Sequence, residues 1–139
     1  MSERADARLI PQPTPDTLPF WRAAKEGRLI LPRCEACGPF FYPRSFCPKC
    51  GSSKLDWMEA SGRATLHSYV INITPLAPGY GAPYVIAVVS LEEGPRMMAN
   101  ILDVETTPEA LVLDMPLEVR FEQRGDLAIP QFVPAKAKP

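Results

Sequence analysis

All four cysteines of the 139-residue chain lie in one stretch, CEACGPFFYPRSFCPKCG, running from Cys34 to Gly51. They form two C-x-x-C-G turns, one ending in Cys37-Gly38 and the other in Cys50-Gly51. In such a turn two thiolates converge while backbone N–H groups point at the sulfurs, and the glycine takes a positive φ that other residues resist. Two turns facing each other make a tetrahedral four-sulfur cage, the geometry of structural zinc. The nine residues from Gly38 to Phe46 separate the turns, enough for a short hairpin stiffened by Pro43 and Pro48. Disulfides or a redox pair are the competing readings. A redox C-x-x-C opens a helix in a βαβ setting, and no helical pattern follows either pair. Disulfides suit an exported chain, whereas the charged start from Met1 to Arg8 reads as no export signal. The expectation is a zinc ion on Cys34, Cys37, Cys47 and Cys50, with no open coordination position and so a structural role.

Other catalytic chemistry is sparse. The single histidine, His67, falls in a strand pattern, where a surface or packing role is the commoner one. Glu92 and Glu93 form a carboxylate pair in a turn and read as solvated charges. No serine stands in a G-x-S-x-G or S-x-x-K setting, and no phosphate loop or dinucleotide fingerprint occurs. Independent catalysis is not expected.

Composition sets further limits. A formal net charge of -1 provides no global basic field for nucleic acid or anionic membrane. No apolar run approaches the roughly 20 residues of a membrane span. A reducing, cytoplasmic setting is expected, since it keeps thiolates available to a metal. Seventeen prolines, concentrated at the ends and between apolar runs, fit short strands and defined turns.

The elements that must position the cysteines follow in order. Residues 1–16, with Pro11, Pro13 and Pro15, read as a flexible arm. Residues 17–60 hold a helix and the zinc ribbon. Asp16 or Thr17 caps a helix over Leu18–Glu26, with Pro19 in its first turn and Gly27 as terminator. So short a helix is marginal alone, so Phe20, Trp21 and Ala24 must dock on something. Arg28 to Arg33 is a strand feeding the first turn, and Phe40, Phe41, Tyr42 and Phe46 cover the metal site or seal it to the neighbouring domain. Residues 61–134 read as strands. Arg63 to Ile73 alternates imperfectly, with Leu66 and Val70 on one side and Tyr69, Ile71 and Ile73 on the other. Thr74 to Pro83 is a proline- and glycine-rich loop of the kind that is often functional. Tyr84 to Leu91 (YVIAVVSL) is apolar throughout, which predicts a strand buried on both faces. Glu92 to Pro95 turns the chain into a strand over Arg96 to Asp103. Thr107 to Leu111 is a short helix or helical turn, Leu117, Val119 and Phe121 mark a half-buried strand, and Ile129 to Phe132 is a last edge strand. Residues 135–139 are a loose tail. About five strands and strong twist suggest a closed OB-type barrel, with an open antiparallel sheet as the alternative.

The ordered motifs also carry a resemblance. Phe20-Trp21, Gly27-Arg28-Leu29, Arg33-Cys34 with Cys37-Gly38, Pro43-Arg44 and Cys47 to Cys50 make up its first half. Trp57, Ser61 to Ala64, Ser68-Tyr69, Pro83-Tyr84, Leu91 to Arg96, Met115 to Val119 and Pro130 to Phe132 make up the second. In this order they resemble the family of rubredoxin-like zinc ribbons followed by an OB-fold, a domain-of-unknown-function group associated with acyl-CoA thiolase-like enzymes. The resemblance spans Thr17 to Phe132. It implies a mainly β fold, with an N-terminal helix and zinc ribbon followed by a small five-stranded OB-fold barrel. It also implies a non-catalytic accessory subunit bound to a thiolase-like, lipid-transfer-protein-like acyl-CoA enzyme, as in acyl transfer or steroid side-chain aldol cleavage. One departure is Asp114, where the family pattern has glycine, and it puts the local turn in question.

Direct contact with acyl-CoA is a further expectation. Its phosphates call for Lys or Arg beside an apolar shelf, and Arg22, Lys25, Arg28 and Arg33 near Phe20 and Trp21 could offer one. Those charges could equally do no more than solvate the helix. The alternative function is single-stranded nucleic-acid binding by the ribbon and barrel, which needs basic residues interleaved with aromatics on one face. Lys54, Arg63, Arg96 and Arg120 are instead scattered among acids.

Overall fold

The structure is a computed structural model and describes residues 9–75, 79 and 81–135. The start of the expected arm, most of the centre of the Thr74 to Pro83 loop and most of the expected tail lie outside the described residues.

A helix α1 (Leu18–Lys25) comes first, followed by β1 (Ile30–Cys34), β2 (Gly38–Pro39) and β3 (Leu55–Glu59). These strands form a small antiparallel sheet in the order β2-β1-β3. Then come β4 (Arg63–Asn72), β5 (Tyr84–Leu91), β6 (Arg96–Ile101), β7 (Pro116–Arg124) and β8 (Leu127–Pro134). They close a five-stranded barrel in the order β4-β5-β6-β8-β7, so the closed form replaces the open-sheet alternative.

Eight residues are too few for a stable free helix, and α1 is held by what it buries. Phe20, Trp21, Ala23 and Ala24 are buried, and the helix packs on β8 and β1. Burying a side chain the size of Phe20 is worth about 2 kcal/mol. Thr17 is the N-cap residue but makes no capping bond to the helix; its hydroxyl accepts from the Thr14 N–H at 2.9 Å. Gly27 ends the helix at φ 82°. The described end of the arm lies on the barrel, where the Leu9 carbonyl accepts from Arg124 at 3.2 Å.

One core serves helix, ribbon and barrel. Phe20, Trp21, Leu29 and Leu31 join Leu66, Val85, Val89, Leu117 and Phe132 in a single cluster of buried side chains. Gly62 sits at the junction of ribbon and barrel with φ 86°, and a Cβ there would lie 2.7 Å from Cγ1 of Val119.

Several expectations need correction. Leu66 and Val70 do not share a face: Leu66 is buried and Val70 is 58% exposed. The cause is a bulge, since β4 pairs Leu66 with Val89 and Ser68 with Val88, leaving His67 unmatched and exposed. One extra residue reverses every side chain beyond it, and Tyr69 and Ile71 pack on the core instead. Strand β5 is not buried on both faces; buried and half-buried residues alternate along it. Ile129 to Phe132 is an edge only in part: β8 lies between β6 and β7, but of these residues Phe132 alone pairs with β6. The Thr107 segment, by contrast, forms the helical turn expected of it, with the Leu111 N–H reaching the Thr107 carbonyl at 3.2 Å.

Candidate metal centre and the adjoining cleft

Strand β1 delivers Cys34 at its last residue, and the chain turns back through Gly38 at φ 94° into β2. The second turn is built by backbone bonds. The Cys47 N–H donates to the Ser52 carbonyl at 2.8 Å and the Gly51 N–H to the Cys47 carbonyl at 2.8 Å, with Gly51 at φ 79°. The Lys49 N–H points at the Cys47 sulfur at 3.3 Å. Positive φ at both glycines is the conformation the C-x-x-C-G pattern requires.

The four sulfurs, of Cys34, Cys37, Cys47 and Cys50, all lie within 4.8 Å of one another. Cys34 and Cys47 are buried and the other two exposed, and all are free thiols. A tetrahedron with Zn–S bonds of about 2.3 Å has corners about 3.8 Å apart. The Cys34 and Cys50 sulfurs are 3.7 Å apart, so the donor set fits zinc. Taken by themselves the sulfurs hold protons unevenly. Hydrogen bonding to the Cys50 thiol, then burial, pushes the Cys37 thiol up to about 12. The backbone N–H groups of Cys50 and Lys49 bring Cys47 down to about 6. Four negative sulfurs at this spacing need a divalent cation, and with all four engaged none of its positions stays open for water or substrate. Phe40 lines a small cavity together with Cys37 and Cys47, while Phe46 is 49% exposed.

Phe41 and Tyr42 turn from the ribbon toward the helix. Phe41 and Phe20 have ring centroids 5.7 Å apart, Phe20 and Trp21 meet edge to face at 5.1 Å, and Phe41 and Tyr42 do so at 5.2 Å. This aromatic group forms one wall of a cavity of about 510 Å³. The opposite wall is the barrel, with Val88 of β5, Met97 and Met98 of β6, and Ile129 and Pro130 of β8. Arg44 and Arg96 also line it. The apolar outward residues of β5 therefore have an explanation: Val88 faces the cleft, neither core nor open water.

The basic residues singled out from sequence lie elsewhere. Arg22 and Lys25 are exposed on α1, and neither lines the cavity. Arg28 pairs with Glu26 at 2.7 Å and Glu59 at 3.5 Å, and Arg33 holds Asp56 with two hydrogen bonds of 3.0 and 2.8 Å.

Sequence reasoning missed a buried polar chain between β6, β7 and β8. Gln131, 3% exposed, donates through Nε2 to Glu122 at 2.9 Å and to Asn100 Oδ1 at 3.0 Å. Its Oε1 accepts the Asn100 backbone N–H at 2.6 Å. Arg124 donates to Glu122 at 3.2 Å. The only available signal was a glutamine in an otherwise apolar strand.

Residues 21–56 match the ChsH2 rubredoxin-like zinc ribbon domain and residues 57–122 the ChsH2 C-terminal OB-fold domain. A DUF35 domain-containing scaffold protein of Methanocaldococcus jannaschii is 36% identical, over 76% of this chain and 79% of that protein. The chain belongs to the DUF35 family. A further relative of this DUF35 chain is a probable enoyl-CoA hydratase alpha subunit of Thermomonospora curvata, 37% identical over 84% of the chain. The DUF35 chain spans 37% of that subunit's length. A solved structure, the Ltp2-ChsH2(DUF35) aldolase, contains a chain with which it superimposes at a TM-score of 0.80 and 33% identity. The match covers 91% of the DUF35 chain and 100% of the other. Among the described residues no helix is long and apolar enough to cross a membrane.

Proposed function

We propose that the chain is a non-catalytic accessory subunit of a thiolase-like acyl-CoA enzyme, acting through the surface that the zinc ribbon, α1 and the barrel build together. The observation that carries this reading is the match along the whole of the DUF35 chain in the Ltp2-ChsH2 aldolase. The chemistry of the described residues agrees with it. The cysteines are committed to a closed metal site, His67 is exposed at a bulge, and Glu92 is occupied by Arg63 at 2.9 Å. A reducing compartment, the cytoplasm, keeps the four thiols available to zinc.

Contact with acyl-CoA through Arg22, Lys25, Arg28 and Arg33 has little geometric support, since Arg28 and Arg33 are already paired with carboxylates. The nucleic-acid alternative is weakened because Arg28, Arg33 and Arg63 each hold an acidic partner, and among the described residues two cations alone, Arg44 and Arg96, line the cavity beside the aromatics. Co-expression with a thiolase-like acyl-CoA enzyme of the same organism, followed by size-exclusion chromatography and assays with and without this chain, tests the proposal. A partner that is equally soluble and active alone, and does not co-elute, overturns it.

A further inference from the structure

The barrel is closed between β6 and β8 by a single residue pair, Ile101 with Phe132. On that side the Asn100 N–H reaches Gln131 and the Leu102 N–H reaches the Phe132 carbonyl at 2.8 Å. Backbone groups of alternate residues in a strand point the same way, so those of Met98 and Arg96 also face β8. There, among the described residues, they meet no ladder partner. An open strand edge of this kind is normally covered or blocked. Here it runs along the cleft, and Met98 is 66% exposed.

The cleft has a definite chemistry. Met98, Ile129 and Pro130 line the 510 Å³ cavity and also an adjoining one of about 290 Å³, so one groove follows β6 from Arg96 to Asn100. Arg44 and Arg96 line the larger cavity, and no carboxylate does. The groove therefore offers free backbone donors and acceptors, an apolar floor and two guanidinium groups.

We propose that this groove receives an extended acidic segment of the partner enzyme, added to β6 as a strand; the proposal rests on the accessory-subunit reading. Five residues of strand span about 17 Å, the length of β6 from Arg96 to Asn100. The segment's backbone would pair with Arg96 and Met98, and alternate apolar side chains would rest on Val88, Met98 and Ile129. Its carboxylates would meet Arg44 and Arg96.

The test is amide hydrogen exchange on the zinc-loaded chain, free and in complex with the thiolase-like partner, together with two variants. Met98→Pro removes one edge donor that the barrel does not use, and Arg44→Glu/Arg96→Glu reverses the charge without touching the core. The expected result is slowing of the Arg96 and Met98 amides by about tenfold or more on assembly, with each variant weakening the complex at least about tenfold. The charge reversal should matter most at low salt. A complex that forms while both amides exchange as in the free chain overturns this docking mode and leaves the accessory reading intact, as does a complex indifferent to the charge reversal. Protection that appears in the chain alone as its concentration rises would assign the edge to a second copy and also overturn it. Absence of any complex overturns both readings.

Discussion

The sulfurs of Cys34 and Cys50 stand 3.7 Å apart although sixteen residues separate them in the chain. Cys34 ends a strand and Cys50 closes a turn with little structure of its own, so what holds them together is the ion they share with Cys37 and Cys47.

Zinc removal should therefore unfold the ribbon. Purified protein is expected to carry about one zinc per chain by elemental analysis. A strong chelator, or Cys37→Ser, should remove exchange protection from β1 and β3 and redshift the fluorescence of Trp21 and Trp57. A metal-free chain whose ribbon amides remain protected would contradict the structural role.

Gly62→Ala should destabilise the protein by about 2–3 kcal/mol in urea unfolding, because φ is 86° and the new Cβ would meet Val119 at 2.7 Å. Gly94→Ala, where φ is 116° and nothing lies within 4 Å, should cost only the backbone strain.

Asp114 takes φ 68°, a left-handed conformation that glycine adopts at no steric cost. Its N–H donates to the Leu66 carbonyl at 2.7 Å, so the turn is held despite the residue. Asp114→Ala should cost about 1 kcal/mol and Asp114→Gly nothing or less, read from thermal midpoints.

The carboxyls of Asp56 and Glu92 are held below their ordinary values, first by hydrogen bonds from Arg33 and Arg63 respectively. A lowered folded-state value means that each contribution is complete above the ordinary carboxylate range and fades as pH falls through the folded value. Carbon-detected NMR titration should place both midpoints low, and Arg33→Ala should raise that of Asp56 toward the ordinary carboxylate range. Both pairs are exposed, so salt should erase most of their effect on stability.

What could be read from the chain was whatever local chemistry decides. The metal turns were legible because Gly38 and Gly51 must take positive φ beside the cysteines, and that requirement involves only neighbours. The helix was legible through Pro19 and Gly27. The bulge at His67 was not, because it answers to barrel curvature and pairing with β5, and no residue type in β4 announces it. Strand β8 was read as a last edge strand. Its Pro130 does fall in the part without a β6 partner, while Phe132, two residues on, makes the closing pair. The cleft was half legible: Phe20 and Trp21 were chosen as an apolar shelf, but Arg44 and Arg96 reach it from a turn and a hairpin distant in sequence.

The helix precedes the ribbon in the chain yet packs on β8, the last strand of the barrel. The metal-binding segment is thus an excursion moored at both of its ends. Should it lose its ion, it would remain tethered as a slack bight instead of drifting off as a free terminus, and recapture of a new ion would be a short-range event governed by ring size, not by concentration.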